Sequence, residues 1–356
     1  MTISDPLVQS IELEEKALLK PFDGFIPLQT HHCVTGSMRH IYAFHGHDTS
    51  EELLLGLGQG VGFMYWQARG QAPFLGGRAV SKPAMEQLAG QRTGVAIASH
   101  TSSSPRKAHQ TLMESLVIGQ PVMLQVDMGC LPYFDFGGQE YHFGGHVVVA
   151  CGYDQAGNRV LIADRDGLHP VPLADLERAR SSPFKPFPPR NCWWSFNFDR
   201  YRPPAPAEIH RAIAAQASGM LAPPIRNFGV EGIRLAAQRI PGWPSEMSLP
   251  ELRMALFNAY IFISPVGGTG GGLFRYMFNR FLKQAAVLSA DERLNASAAA
   301  FERVGDAWES LAGWAKDVSE APDLVTRLGE CSAALLAIAD QEQAAWEDLQ
   351  KIELKS

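Results

Sequence analysis

The chain has 356 residues, 46% hydrophobic and 19% charged, with a formal net charge of −6 and a pI near 6.0. This composition fits a soluble globular protein of about two domains and excludes a general nucleic-acid binder, which needs a basic face. Five scattered cysteines suggest no disulfide framework, no run reaches the roughly 20 apolar residues of a membrane helix, and Met1-Thr2-Ile3-Ser4-Asp5 does not start a secretory signal, so a cytoplasmic protein with reduced thiols is expected.

Gln29-Thr30-His31-His32-Cys33 leads into the first helical pattern. Val34, Met38 and Ile41 recur at i, i+4 and i+7, and the pattern stops at Gly46. Cys33 therefore falls at a helix N-terminus. Unpaired N–H groups and the helix dipole favour thiolate there, and thiolate is the nucleophilic form. A buried core cysteine is the alternative. His31, His32, Cys33, His45 and His47 are all transition-metal ligand types, but a helix about 18 Å long separates the two groups. No metal site is expected.

Thr49-Ser50-Glu51-Glu52 has capping-box spacing and opens a short helix, Glu51 to Leu57, which Gly58 and Gly60 end. Val61 to Trp66 reads as a strand, Lys82 to Leu88 as a helix and Val95 to Ile97 as a short strand. Ser104-Pro105 is a cap followed by proline at the first helical position, with Leu112, Leu116 and Val117 on the apolar face.

Three strands follow: Pro121 to Asp127, His146 to Tyr153 and Arg159 to Asp164, the last two joined by Asp154-Gln155-Ala156-Gly157-Asn158, a turn of hairpin composition. The hairpin brings His146 and Asp164 to one open end. A histidine beside a carboxylate supplies the base and orienter that a cysteine nucleophile needs. A structural histidine and a turn-forming aspartate are the alternatives. Cys151 reads as core. Cys130 sits in a loop as a second candidate thiol, without a comparably placed histidine. Cys192 and Cys331 have no partner in the pattern.

Ser181 to Arg190 is rich in proline, and Arg178, Arg180, Lys185 and Arg190 form a basic patch around it; Cys192 to Phe198 returns to strand. Beyond Pro206 strand signals disappear. Ala207 to Met220, Gly229 to Arg239, Leu249 to Ile263, Leu273 to Leu288 and two long alanine-rich segments read as helices. Pro265 to Gly272 breaks this run. It lacks the Gly-Lys-Ser/Thr ending of a Walker loop, but its N–H groups, with Thr269 and Arg275, form a candidate anion site before a helix start. Glycines that permit close packing against the catalytic domain are the alternative.

The order Cys33, His146, Asp164 matches papain-like cysteine hydrolases. His32-Cys33, Ser50-Glu51-Glu52-Leu53, Gly58-x-Gly60, Asp127 with Leu131-Pro132-Tyr133, Gly145-His146-Val147-Val148-Val149, Gly152-Tyr153-Asp154 and Ala163-Asp164 resemble the N-terminal domain of the butirosin-biosynthesis acyltransferase family, which is related to bacteriocin-leader peptidases. Gly267 to Arg275 is similar to the helical domain that commonly follows. The resemblance implies an α+β protein: a papain-like catalytic domain with an antiparallel sheet over residues 1–202, and an α-helical domain over 203–356 covering its cleft. It further implies transfer of an acyl or aminoacyl group from an acyl or peptidyl carrier-protein thioester to a small-molecule amine, in secondary-metabolite biosynthesis.

Cys33, His146 and Asp164 would be the catalytic residues, Gln29 an oxyanion donor, and Thr269, Arg275 and Tyr133 contacts to substrate, with Thr269 and Arg275 also placed to hold a pantetheine phosphate. No cofactor is implied beyond the carrier's phosphopantetheine, and the basic patch would dock an acidic carrier. Two departures stand out. Gln29 is only four residues before the cysteine, and Val34 replaces the glycine that follows it in leader peptidases. Thioesterase, amidase or cyclase action by the same triad, or an inactive module binding a carrier protein or metabolite, remain the alternatives.

Overall fold

The computed structural model describes residues 19–68, 72–78, 82–138, 140–185 and 187–352; the Met1–Asp5 segment and Pro186 fall outside them. In chain order the elements are α1 (Cys33–Phe44), α2 (Glu51–Leu57), β1 (Met64–Trp66), β2 (Phe74–Gly76), α3 (Met85–Thr93), β3 (Ala96–His100), α4 (Pro105–Val117), β4 (Val122–Val126), β5 (His146–Asp154), β6 (Arg159–Asp164), β7 (Gly167–Pro172), α5 (Leu173–Ser181) and β8 (Trp193–Asn197). Six helices follow: α6 (Pro206–Leu221), α7 (Gly229–Arg239), α8 (Leu249–Ile263), α9 (Gly271–Ser289), α10 (Arg293–Glu320) and α11 (Leu324–Gln350). The protein is α+β, with an antiparallel sheet in a papain-like region and a helical C-terminal region. No described helix is long and apolar enough to cross a membrane.

The chain divides into two compact units. One is residues 1–51 with 96–198, the other 52–95 with 199–356. This corrects the expected single boundary at 202/203, because residues 52–95 belong with the helical unit. The physical reason is long-range pairing. The Gln216 amide exchanges two hydrogen bonds with the backbone of Val61, at 3.0 and 2.7 Å, and Arg275 donates to the Gly62 carbonyl at 3.0 Å. Gly56 lies against the ring of Phe281, where a Cβ would meet ring carbon at 2.2 Å.

In the first unit six strands form one antiparallel sheet in the order β3-β8-β4-β5-β6-β7. Val122, Leu124, Val126, Val148, Ala150, Val160 and Ile162 alternate onto one core, joined by Leu112 and Leu116 of α4 and Leu173, Leu176 and Ala179 of α5. The period of two along each strand puts these side chains together. β7 closes the sheet as an edge strand and carries Pro170 and Pro172, which an edge tolerates because no neighbour needs their missing N–H.

In the helical unit the six long helices and α3 are joined by the β1–β2 hairpin. Its centre is an ion pair, Arg275 Nε to Glu342 Oε1 at 2.6 Å, with both side chains fully buried. Glu342 also accepts from the indole N–H groups of Trp308 (2.8 Å) and Trp346 (2.7 Å). The charge is thus paired and hydrogen-bonded, which burial requires.

Candidate active site

The site is built around α1. Its N-terminus is fixed by a loop that is itself tied at three points. Leu28 N–H donates to His40 Nε2 (3.0 Å), Thr30 N–H to the Arg165 carbonyl (3.2 Å), and the N–H groups of His31 and His32 to the two oxygens of Glu51 (2.8 and 3.1 Å). Gly36 lets this loop lie close: a Cβ there would meet Thr30 Oγ1 at 2.4 Å. Val34, Met38, Ile41 and Tyr42 are buried along α1, together with Thr35, Ser37 and His40. The helix is therefore central rather than one-faced, and Cys33 starts its first turn with partial exposure.

His146 opens β5 opposite Val126 of β4. A β-bulge between Ala150 and Gly152 shifts the β5–β6 register, whose last pair is Val149 with Ala163. Continuing that register sets Asp164 opposite Val148, and His146 two residues further along the same face. The contact is therefore diagonal, within side-chain reach across a strand pair. His146 Nε2 lies 2.7 Å from Asp164 Oδ2. Its other nitrogen, Nδ1, is left for the hydrogen bond with Cys33. The structure brings Cys33, His146 and Asp164 together as the sequence led one to expect.

The electrostatics follow from that line of contacts. Burial alone would raise the Cys33 thiol, but hydrogen bonds from His146 and His32, and the electrostatic pull of the two rings, hold it well below the ordinary cysteine value. Burial opposes charge on His146 as well, yet Asp164 and the Cys33 thiolate outweigh it and bring its pKa up to about 9. Asp164, although buried, is held down to about 2 by His146, the Arg165 N–H (2.7 Å) and the Tyr133 hydroxyl (2.8 Å). These shifts all run in the direction of a thiolate–imidazolium pair backed by a carboxylate. The N–H groups of Cys33 and Val34 have no acceptor among the described residues, as first-turn donors of a helix.

The other candidates resolve differently. Gln29 is exposed and makes no hydrogen bond with a described residue, so it is no fixed oxyanion donor. Tyr133 donates to Asp164 and stacks on His169 at 3.9 Å, and burial beside that carboxylate pushes its phenol far above the ordinary value. It orients the carboxylate rather than offering its hydroxyl to a ligand. Arg275, expected at an anion site, is 0% exposed and committed to Glu342 and the Gly62 carbonyl. Thr269 stands in a loop whose glycines pack on the end of α8: a Cβ on Gly267, Gly270 or Gly271 would fall within 2.5 Å of the carbonyl oxygens of Ile261, Phe262 and Ile263. Close backbone packing inside the helical unit accounts for Pro265 to Gly272.

In the basic patch Arg180 is 1% exposed and donates to the Ala108 carbonyl at 3.3 Å, while Arg178 pairs with Asp175 at 3.0 Å. Burial brings the Arg180 pKa down to about 10. Only Lys185 and Arg190 remain as exposed cations there without a carboxylate partner among the described residues. None of the five cysteines forms a disulfide; Cys151 and Cys331 are buried, which pushes both thiols up to about 12.

Three groups escaped the sequence reading. Glu51 anchors the loop that leads into Cys33, although the capping signature pointed to its neighbour Glu52. His32 touches the Cys33 sulfur. And Asp127, Cys130 and His142 form a second Cys–His–Asp group, with ligand-type atoms within 4.8 Å of one another. The Asp127 carboxylate there is fully occupied. Oδ1 accepts from the N–H groups of Gly129 and Phe143 (both 3.0 Å), and Oδ2 from His142 Nδ1 (2.8 Å) and Ser182 (2.5 Å). Burial and the Asp127 charge push the Cys130 thiol up.

Residues 32–165, from just before Cys33 to just after Asp164, match the family model described as butirosin biosynthesis protein H, N-terminal. Over these residues the chain is similar to the N-terminal domain of the butirosin biosynthesis protein H family. A second model, described as a domain of unknown function, matches residues 174–349. No curated protein gives a significant match. The family match begins at His32 and ends at Arg165, so all three members of the site lie within it.

Proposed function

We propose that this chain, whose residues 32–165 are similar to the butirosin biosynthesis protein H family, is a cysteine-dependent acyltransferase of secondary-metabolite biosynthesis. It would move an acyl or aminoacyl group from a carrier-protein phosphopantetheine thioester to an amine. The observation that carries this is the line of contacts from the Cys33 sulfur to His146 and on to Asp164, 2.7 Å from the imidazole. A thioester is matched to such a nucleophile, because its leaving thiolate needs little help to depart.

The Cys33 sulfur attacks the thioester carbonyl carbon, and the developing oxyanion accepts hydrogen bonds from the Cys33 and Val34 N–H groups. Each well-placed donor contributes about 3 kcal/mol in comparable sites. The carbon–sulfur bond to the carrier breaks, and the departing thiolate takes the Nδ1 proton of His146. Neutral His146 then accepts a proton from the incoming amine as its nitrogen attacks the acyl-enzyme. Collapse expels the Cys33 thiolate and restores the ion pair. The balance is thioester plus amine to amide plus thiol, with Asp164 holding the imidazole throughout.

Intact-mass spectrometry with acyl-pantetheine surrogates tests the reading. An adduct of the acyl mass on Cys33, absent in Cys33→Ala and discharged to an amide by added amines, is the expected result. Discharge only to the free acid, whatever amine is supplied, would identify a thioesterase instead. No adduct at all would leave a binding module.

A further inference from the structure

The thiolate has a second histidine. We infer that His32 is a catalytic residue in its own right, acting on the Cys33 sulfur through Nε2 and held in place by Thr35 and Glu51. The inference rests on the proposed function only in taking Cys33 as the nucleophile.

The hydrogen-bond inventory fixes the direction of the relay. Glu51 receives the backbone N–H groups of His31 and His32 and the Thr35 hydroxyl at 3.0 Å. A carboxylate with three donors around it only accepts, so the single Thr35 hydroxyl proton goes to Glu51. His32 Nδ1, 3.1 Å from that same hydroxyl oxygen, must then be the donor to it. A contact of 3.5 Å from the Thr35 N–H would need Nδ1 as an acceptor; it is the longer of the two and gives way. With Nδ1–H committed, Nε2 is the nitrogen left for the hydrogen bond that His32 makes with Cys33. That nitrogen can take the thiol proton, or return it as a donor to the thiolate.

Two relays therefore meet at one sulfur. Asp164–His146 approaches from the β5–β6 hairpin, and Glu51–Thr35–His32 from the start of α1 and α2. His32 is 2% exposed and Glu51 1%, so this second relay is as dry as the first. Hydrogen bonds to charged groups are stronger in such surroundings than in water. A plain N-cap would need only a side-chain acceptor for the Thr35 N–H, and does not explain why an imidazole touches the nucleophile.

The test is the pH dependence of iodoacetamide alkylation at Cys33 in the full chain, followed by peptide mass spectrometry. His32→Asn keeps an excellent N-cap and removes the second imidazole. The expected result is a thiolate titration moved upward by about one unit, with labelling at pH 6 about ten-fold slower. Thr35→Val leaves the His32 ring in place but removes the hydroxyl that holds Nδ1, and should move the profile the same way by about three-fold, reading out the relay separately from the loss of the imidazole. Profiles in both variants that superimpose on the wild type would overturn the inference. Failure of the underlying reading looks different: wild-type Cys33 would then label as sluggishly as Cys130, and His146→Ala would change nothing.

Discussion

Cys33 and Cys130 lie in the same unit, each beside a histidine and an aspartate, and their chemistry diverges. At Cys33 the imidazole stands between sulfur and carboxylate, with Nε2 on Asp164 and Nδ1 on the thiol. The carboxylate acts on the sulfur only through a cation, and the thiol is held down. At Cys130 the order is scrambled. His142 gives Nδ1 to Asp127 and places Nε2 3.4 Å from Glu140, so both nitrogens face acids and the sulfur meets the Asp127 charge without an imidazole between them. The thiol is pushed up. Residue types alone do not make a nucleophile; the sequence of contacts does.

Breaking the comparison at its centre gives the largest effect. Cys33→Ala should remove acyl-enzyme formation, a loss of at least about 10⁴-fold in turnover of an acyl-pantetheine thioester, while Cys130→Ser should stay within about two-fold. A Cys130→Ser variant as dead as Cys33→Ala would assign the chemistry to the wrong group.

The two carboxylates should separate stability from catalysis. Asp127 accepts four hydrogen bonds at a fully buried position, so Asp127→Ala strands four donors and should lower unfolding free energy by about 3–5 kcal/mol in urea titration. Asp164→Asn keeps one carbonyl oxygen, able to accept from the Arg165 N–H, but loses the second acceptor and removes the charge that holds the imidazolium. It should slow acylation by about 10²-fold with a stability loss near 1 kcal/mol. Tyr133→Phe deletes one hydrogen bond to Asp164 and sharpens the same contrast at about three-fold. Equal stability losses in Asp127→Ala and Asp164→Asn would erase the distinction.

Much of this arrangement was legible beforehand, and the exceptions have physical causes. Glycine and proline punctuation marked α2, α7 and α8 at their observed bounds, because capping is local chemistry. The β5–β6 hairpin was readable from alternation and turn composition, and with it His146 and Asp164. β7 was not, since Asp166-Gly167 looks like a turn, two prolines follow, and only Val171 of the strand is buried. The membership of residues 52–95 leaves no local trace; it depends on Gln216 and Arg275, more than 150 residues away. Arg275 and Arg180 were misplaced for a related reason. An arginine reads as surface until its buried partner is known, and Glu342 is 67 residues further on. The Asp127–His142 pair spans a loop without periodicity, so nothing in the pattern joined it to Cys130.

The smallest effect concerns protons that the two clusters share with the rest of α1. His40 donates Nδ1–H to the Gly36 carbonyl (3.0 Å) and accepts the Leu28 N–H on Nε2, an arrangement only the neutral ring can make. Burial lowers its pKa, and partial desolvation does the same at exposed His45. As pH falls through about 6.5 the unfolded chain takes up these protons first, so native stability declines with acid, by at most about 1.4 kcal/mol per pH unit for each group. The Cys33–His146 pair adds to this slope without creating one above it. Between about pH 6.5 and 8 the native pair holds one proton on the imidazole and the unfolded pair holds one on the thiol, so their counts match. Below that range the unfolded pair holds two and the native pair still one. Urea unfolding from pH 5 to 8 should therefore be flat above about pH 6.5 and steep below it. His40→Gln retains a donor and an acceptor and should remove part of the acid slope, and Cys33→Ala should remove a further part, because His146 then carries its proton in both states. A His146→Ala or Cys33→Ala protein with an unchanged acid slope would mean that the native sulfur keeps its proton, and Cys33 would then be no more a thiolate than Cys130.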